Sequence, residues 1–283
     1  MKRMSKALIG ILGLAMAFAA HAETKLKPFI LAYTTTGDMA TVVKQVEKKL
    51  TDGGFQVVGS YVPYPSATVI AVTNAAEKAA AARTKFGAYG AAQRVSVTNV
   101  NGQLQVAYTN PVYMANAYRS AKEGMSASDL RDYHYMFGME YFTDPTLLAT
   151  YKSYEDALKG VNAHLAKGTA GVTKVYEVDI PGAQQAEFGV AMKGSGKNKY
   201  MSDAFIMNEI DFKPIRSTPH LPYEMVVSGN KVYALYARFR IAVNFPDLSM
   251  MGSHSFMGIV KSPKAIARAL IQAAGGKLTA EYW

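Results

Sequence analysis

The chain has 283 residues, 49% of them hydrophobic and 18% charged, with a formal net charge of +10 and no cysteine. That length and apolar share belong to folded globular chains and exclude a disordered tail or a collagen-like rod. Without cysteine there is no disulfide scaffold, thiolate zinc site, cysteine nucleophile, c-type haem attachment or acylated lipoprotein anchor.

The first 22 residues read as a secretory signal peptide. Lys2, Arg3 and Lys6 form a basic start, Ala7–Ala20 an apolar or small-residue run, and Ala20-His21-Ala22 a small-x-small cleavage site. The apolar run is shorter than the roughly 20 residues of a membrane-spanning helix. The expectation is therefore cleavage after Ala22 and a periplasmic protein with no transmembrane segment in its mature chain. Loss of three basic residues and no acidic one takes the charge from +10 to +7.

Phe29-Ile30-Leu31-Ala32 is a short buried-strand candidate. Met39, Val42, Val43, Val46 and Leu50 then follow the i, i+3, i+4, i+7, i+11 stripe of an amphipathic helix, with Asp38 as N-cap and Gly53-Gly54 as the stop. A strand starts at Phe55-Gln56-Val57-Val58. Further on, Arg94–Val100 and Gln103–Thr109 flank Asn101-Gly102, a strong hairpin signal. Asn110-Pro111 opens a helix over Val112–Arg119, because proline at the first helical position forfeits no hydrogen bond.

The same events recur later. Tyr154, Ala157, Leu158, Val161 and Leu165 repeat the stripe, Ser153 and Asp156 supply a capping-box-like start, and Val172–Tyr176 reads as the next strand. Tyr223–Val227 and Lys231–Val243 flank Ser228-Gly229-Asn230 as a second hairpin, and Ser262-Pro263 opens a last helix over Lys264–Ala274, closed by Gly275. Lys193–Lys199, rich in Gly and Lys, reads as a flexible loop. These matches predict an α+β fold of two related lobes, each a mostly antiparallel sheet with helices packed on one face. The expected division is a signal peptide at 1–22, a first lobe at 23–120, a connecting segment at 121–152 packed on the lobes through Tyr133–Phe137, and a second lobe at 153–283.

The helix ending in Gly53-Gly54-Phe55, the hairpin Val95–Thr109 and the exit Tyr108-Thr109-Asn110-Pro111 are similar to motifs of the bacterial family called domain of unknown function 302. The resemblance covers about residues 29–118. It implies a small α+β domain with a mostly antiparallel sheet and helices on one face, and it carries no activity to transfer.

Motifs of catalysis are missing. Gly194-Ser195-Gly196-Lys197 fails as a phosphate loop, because Ala191 stands where the first glycine belongs and Asn198 where Ser or Thr belongs. There is no Gly-x-Gly-x-x-Gly, no Gly-x-Ser-x-Gly and no His-Glu-x-x-His. Glu209 with Asp211, and Asp129 with Asp132, read as solvated surface charges. Basic residues are dispersed, which points away from nucleic acid and leaves peripheral contact with an anionic membrane surface open. Only Arg238-Phe239-Arg240 would place two charges on one strand face.

The leading expectation is a non-catalytic binding or accessory protein, taking a small molecule or a periplasmic protein in a cleft between the lobes. With 18 tyrosines against one tryptophan, that cleft would be lined by Tyr108, Asn110, Tyr113, Tyr236 and Arg238, without a cofactor. One alternative is copper, since Met250, His254 and Met257 combine thioether and imidazole, the soft donors that select copper(I). Core packing of those methionines is the competing reading. The other alternative is an enzyme whose site is assembled from distant residues.

Overall fold

A computed structural model describes residues 26–117 and 145–279. The predicted signal peptide, Asp129 and Asp132, and the aromatic stretch Tyr133–Phe137 lie outside the described residues.

The first half runs β1 (Phe29–Thr35), α1 (Met39–Asp52), β2 (Gln56–Tyr64), β3 (Ala67–Thr73), α2 (Ala75–Ala81), β4 (Gln93–Val100), β5 (Gln103–Thr109) and α3 (Pro111–Ala117). The second runs β6 (Thr146–Thr150), α4 (Tyr154–Ala166), β7 (Val172–Ile180), β8 (Gln185–Met192), α5 (Asp203–Ile210), β9 (Tyr223–Ser228), β10 (Lys231–Ala234), α6 (Ala237–Asn244) and α7 (Ser262–Ala273). Each half forms a five-stranded antiparallel sheet, in the orders β1-β5-β4-β3-β2 and β6-β10-β9-β8-β7. The two orders are the same order, strand for strand, and each half inserts one helix after its first strand and one after its third. The α+β fold in two lobes is thus present, with a common connectivity. No helix among the described residues is long and apolar enough to cross a membrane.

Local chemistry sets the ends of these elements. The Asp38 carboxylate accepts from Thr41 N at 2.8 Å and caps α1, while Ser153 Oγ accepts from Asp156 N at 3.1 Å and caps α4. Asn101 and Gly102 hold φ of +53° and +87°, the left-handed pair of a two-residue hairpin turn. α1 lays Val42 and Val46 on Ile70, Val72, Val95, Val97, Leu104 and Val106, one face of the first sheet. α4 and α7 cover the corresponding face of the second sheet through Ala157, Val161, Leu165, Ile266 and Leu270. The opposite faces meet each other: Ala71 of β3 joins Tyr176 and Val178 of β7, Val226 of β9 and Phe239 of α6 in one apolar cluster.

Three readings are corrected. β6 belongs to the second sheet, pairing with β10, so that lobe begins within the predicted connecting segment. A five-residue strand is too short to announce itself by periodicity. β10 ends at Ala234, and Ala237–Asn244 is a helix instead of a strand. It lies between the lobes with six of its eight residues buried, so no polar face marks its period. The Gly/Lys-rich segment is no open loop: Gly196–Met201 is a 3-10 turn, and a side chain on Gly194 would meet the Asn198 backbone carbonyl at 2.2 Å.

Candidate functional site

Two features stand out: a buried ionic network between the lobes and an apolar pocket within the first lobe.

In the network, the carboxylate of Glu224 on β9 is held between two guanidiniums. Its Oε1 accepts from Arg94 on β4, and its Oε2 accepts from Arg240 Nε on α6 at 2.7 Å. Arg94 Nε also donates to the Pro219 carbonyl at 2.9 Å, and Arg240 donates to the carbonyls of His220 and Pro222. Arg240 lies 4.2 Å from the Tyr223 ring centroid and is fully buried. His220 sits 2.9 Å from Arg240 through Nε2. Burial and the two guanidiniums hold its imidazole well below its ordinary pKa, so it is neutral.

Three more carboxyls border the same interface. Glu187 accepts from Tyr176 Oη at 2.8 Å and from Ala92 N at 2.9 Å, and burial pushes it up to about 7. Asp203 accepts from Met192 N at 3.0 Å and Tyr61 Oη at 3.1 Å, and burial pushes it up to about 7. Asp211 accepts from Ser217 N at 2.8 Å, with burial raising it to about 6. The expectation of a solvated Asp211 is overturned, because it is only 8% exposed. Glu224, Glu187 and Asp203 went unrecognised because each is an isolated acid in an apolar strand or at a helix start, which in a sequence is indistinguishable from a surface position. Arg94 with Glu224 and the Pro219 carbonyl, Ala92 N with Glu187, and Tyr61 with Asp203 hydrogen-bond across the lobe interface, so the network acts chemically as a latch, tying β4 to β9.

The pocket lies between the last turn of α1 and its sheet, and encloses about 360 Å³. Val46, Leu50, Phe55, Val72, Val95 and Val106 form apolar walls. Tyr33, Lys49, Glu77, Gln93, Tyr108 and Thr109 supply its polar lining. Lys49 Nζ lies 5.0 Å from the centroid of Tyr33, and both line the pocket. Glu77, also on the lining, closes a capping box with Asn74: its own N donates to Asn74 Oδ1 at 2.9 Å, and its Oε2 accepts from Asn74 N at 3.1 Å. Burial pushes the Glu77 carboxyl up to about 7, against the opposing hydrogen bonds from Asn74 N and Gln93. An acid poised there can accept or donate a hydrogen bond near neutral pH.

The described residues of the two halves differ in their helix cover. In the second half, α7 packs between α4 and β6, and Tyr151 Oη donates to the Ala274 carbonyl at 2.7 Å. By connectivity, α1 and β1 are the counterparts of α4 and β6. Among the described residues of the first half, no helix takes the counterpart place.

The predicted ligand residues do not form one cleft. Tyr108 lines the pocket in the first lobe. Asn110 caps α3, accepting from Val112 N at 3.2 Å, and donates to the Lys27 carbonyl at 2.9 Å. Tyr113 donates to the Val243 carbonyl at 2.7 Å and packs with Tyr236 in the apolar cluster between the lobes. Arg238 is half-buried on α6, while Arg240 turns into the network, because a helix separates residues that a strand would have aligned. The space between the lobes at these residues is filled by side chains. Of the copper candidates, Met250 and Met257 are each 51% exposed, which removes the core-packing reading, and His254 is exposed beside them.

Comparison of the chain with protein-family models, with curated proteins and with solved structures finds no match in any of the three.

Proposed function

We propose that the protein is an exported, non-catalytic binding protein that takes one small, largely apolar molecule into the pocket beneath α1. The observation that carries this reading is the pocket itself: about 360 Å³ of space walled by valine, leucine and phenylalanine, with a few charged or polar groups among its lining. Small-molecule sites have this make-up, with apolar walls supplying affinity and a few polar groups fixing orientation. The Lys49 ammonium suits an anionic or acceptor end of the ligand, and the Glu77 carboxyl suits a donor. The interlobe network holds the two sheets together and leaves the first lobe's outer face to do the binding.

The test is a fluorescence titration of the full chain with 1-anilinonaphthalene-8-sulfonate, an apolar aromatic probe with one anionic end. One saturable site is expected, and Leu50→Trp, which fills the half-buried last turn of α1, should weaken it at least tenfold with an unchanged melting temperature. Lys49→Gln should weaken it less. Absence of saturable binding, or equal binding by the Leu50→Trp variant, rejects the pocket as the site.

A further inference from the structure

A second site, independent of the pocket, lies on the surface of the other lobe. The loop 249–257 closes on itself: Phe256 N donates to the Ser249 carbonyl at 2.8 Å, and Met257 N donates to the Met250 carbonyl at 3.2 Å. This pairing sets Met250 and Met257 opposite each other across the loop's neck. Their side chains are each 51% exposed, and Met251 between them is 75% exposed. Met114, Met192, Met201, Met207 and Met225 are all buried, as methionines that fill core gaps should be. The loop methionines fill no core.

His254 stands at the loop's turn with φ of +52°, in the left-handed region that few residues other than glycine adopt. Its ring stacks on Phe212, centroids 4.8 Å apart, and its Nδ1 lies 3.1 Å from the Glu209 carbonyl oxygen. A carbonyl can only accept, so Nδ1 carries the hydrogen and the Nε2 lone pair is free to bind a metal. Metal-binding histidines are oriented in this way by a backbone carbonyl behind the ring. The Glu209 carboxylate reaches the same loop, since a Cβ on Gly258 would sit 2.9 Å from its Oε2. It supplies negative charge beside a set of neutral donors.

We propose that Met250, Met257 and His254 Nε2 bind one copper(I) ion at this surface. Two thioethers and an imidazole are soft, uncharged donors, the set that favours copper(I) over zinc or the hard cations. The two backbone hydrogen bonds at the neck hold Met250 and Met257 on facing arms of one short loop, with His254 at its turn. Met251 is available as a further thioether.

The test is titration of the full chain with copper(I) in ascorbate, in competition with bicinchoninate, followed by silver(I) as a redox-inert probe on protein carrying 13C-methyl methionine. One equivalent of copper(I) should leave the chelator, and silver(I) should shift the methyl signals of Met250 and Met257. Met250→Leu/Met257→Leu should lower affinity at least tenfold. His254→Asn, which tolerates the left-handed backbone, should lower it while the melting temperature is kept. Failure to withdraw copper from the chelator overturns the proposal. So does one-equivalent binding that survives the double variant, or silver shifts confined to methionines outside this loop. Unchanged probe binding at the pocket in all these variants would separate this result from the fate of the pocket reading.

Discussion

Replacing Glu224 by Gln removes one negative charge from between Arg94 and Arg240 while keeping the side chain's size. All three residues are at most 2% exposed, so water cannot take over the lost role. The variant keeps two guanidiniums buried with a neutral amide between them. Breaking a buried ion pair by deleting one partner costs about 3–5 kcal/mol, because the remaining charge keeps its desolvation penalty. A chain of this size loses roughly 2–4 °C of melting temperature per kcal/mol, so a drop of about 6–20 °C follows. The assay is urea unfolding at pH 7, read by far-ultraviolet circular dichroism, with thermal melting beside it. Methionine at 94, 224 and 240 together should recover part of the loss, because uncharged side chains of similar volume need no compensation. A loss below about 1 kcal/mol for Glu224→Gln, the range of a solvent-screened surface pair, would refute the reasoning.

Glu187 provides a pH test. Its pKa is raised from 4.5 to about 7, so its contribution is fully present below pH 4.5 and is lost as pH rises through about 7. The difference amounts to roughly 3 kcal/mol. Relative to Glu187→Gln, the natural chain should therefore lose urea stability between pH 5 and 8, and parallel profiles would exclude this. His220 works with the opposite sign: its depressed pKa makes its contribution present above 6.5 and lost as pH falls. His220→Gln should soften that acid limb in the same urea series. Gly59→Ala places a Cβ 2.3 Å from the Val175 carbonyl oxygen, where β2 meets β7. It should cost about 1–3 kcal/mol by overpacking, and an unchanged melting curve would deny that contact. Tyr113→Phe should cost about 1 kcal/mol through the lost bond to the Val243 carbonyl, measured by urea midpoint.

What could be read from the sequence was what local chemistry decides. α1 and α4 show their stripes because each has one dry and one wet face, and their caps are single side chains acting within three residues. The Asn101-Gly102 hairpin is equally local. α6 was misread because both sides of it are buried, which erases the period. The candidate site was harder to read for a related reason. Arg94 finds Glu224 across 130 positions of chain, and no spacing rule links them. Tyr108 is expected in a cleft between the lobes, but it lines a space between α1 and the first sheet, while Tyr113 and Tyr236 pack in the seam between the lobes.

The shared strand order then separates two tasks that one lobe alone would have to combine. Each sheet has two apolar faces, and a helix layer on one leaves the other to be covered. Facing the sheets together covers both at once, and Arg94 of the first half, whose buried guanidinium takes its counter-charge from Glu224 of the second, favours one docking register. In the other lobe α7 packs at the place where, among the described residues of the first lobe, no second helix covers the outer face. The space of about 360 Å³ under α1 is walled by valine, leucine and phenylalanine, so leaving it to water keeps apolar surface hydrated. A lobe latched to a better-filled partner can carry such a space. A ligand filling it would remove that apolar lining from water, so stability from the latch and binding at the pocket complement each other.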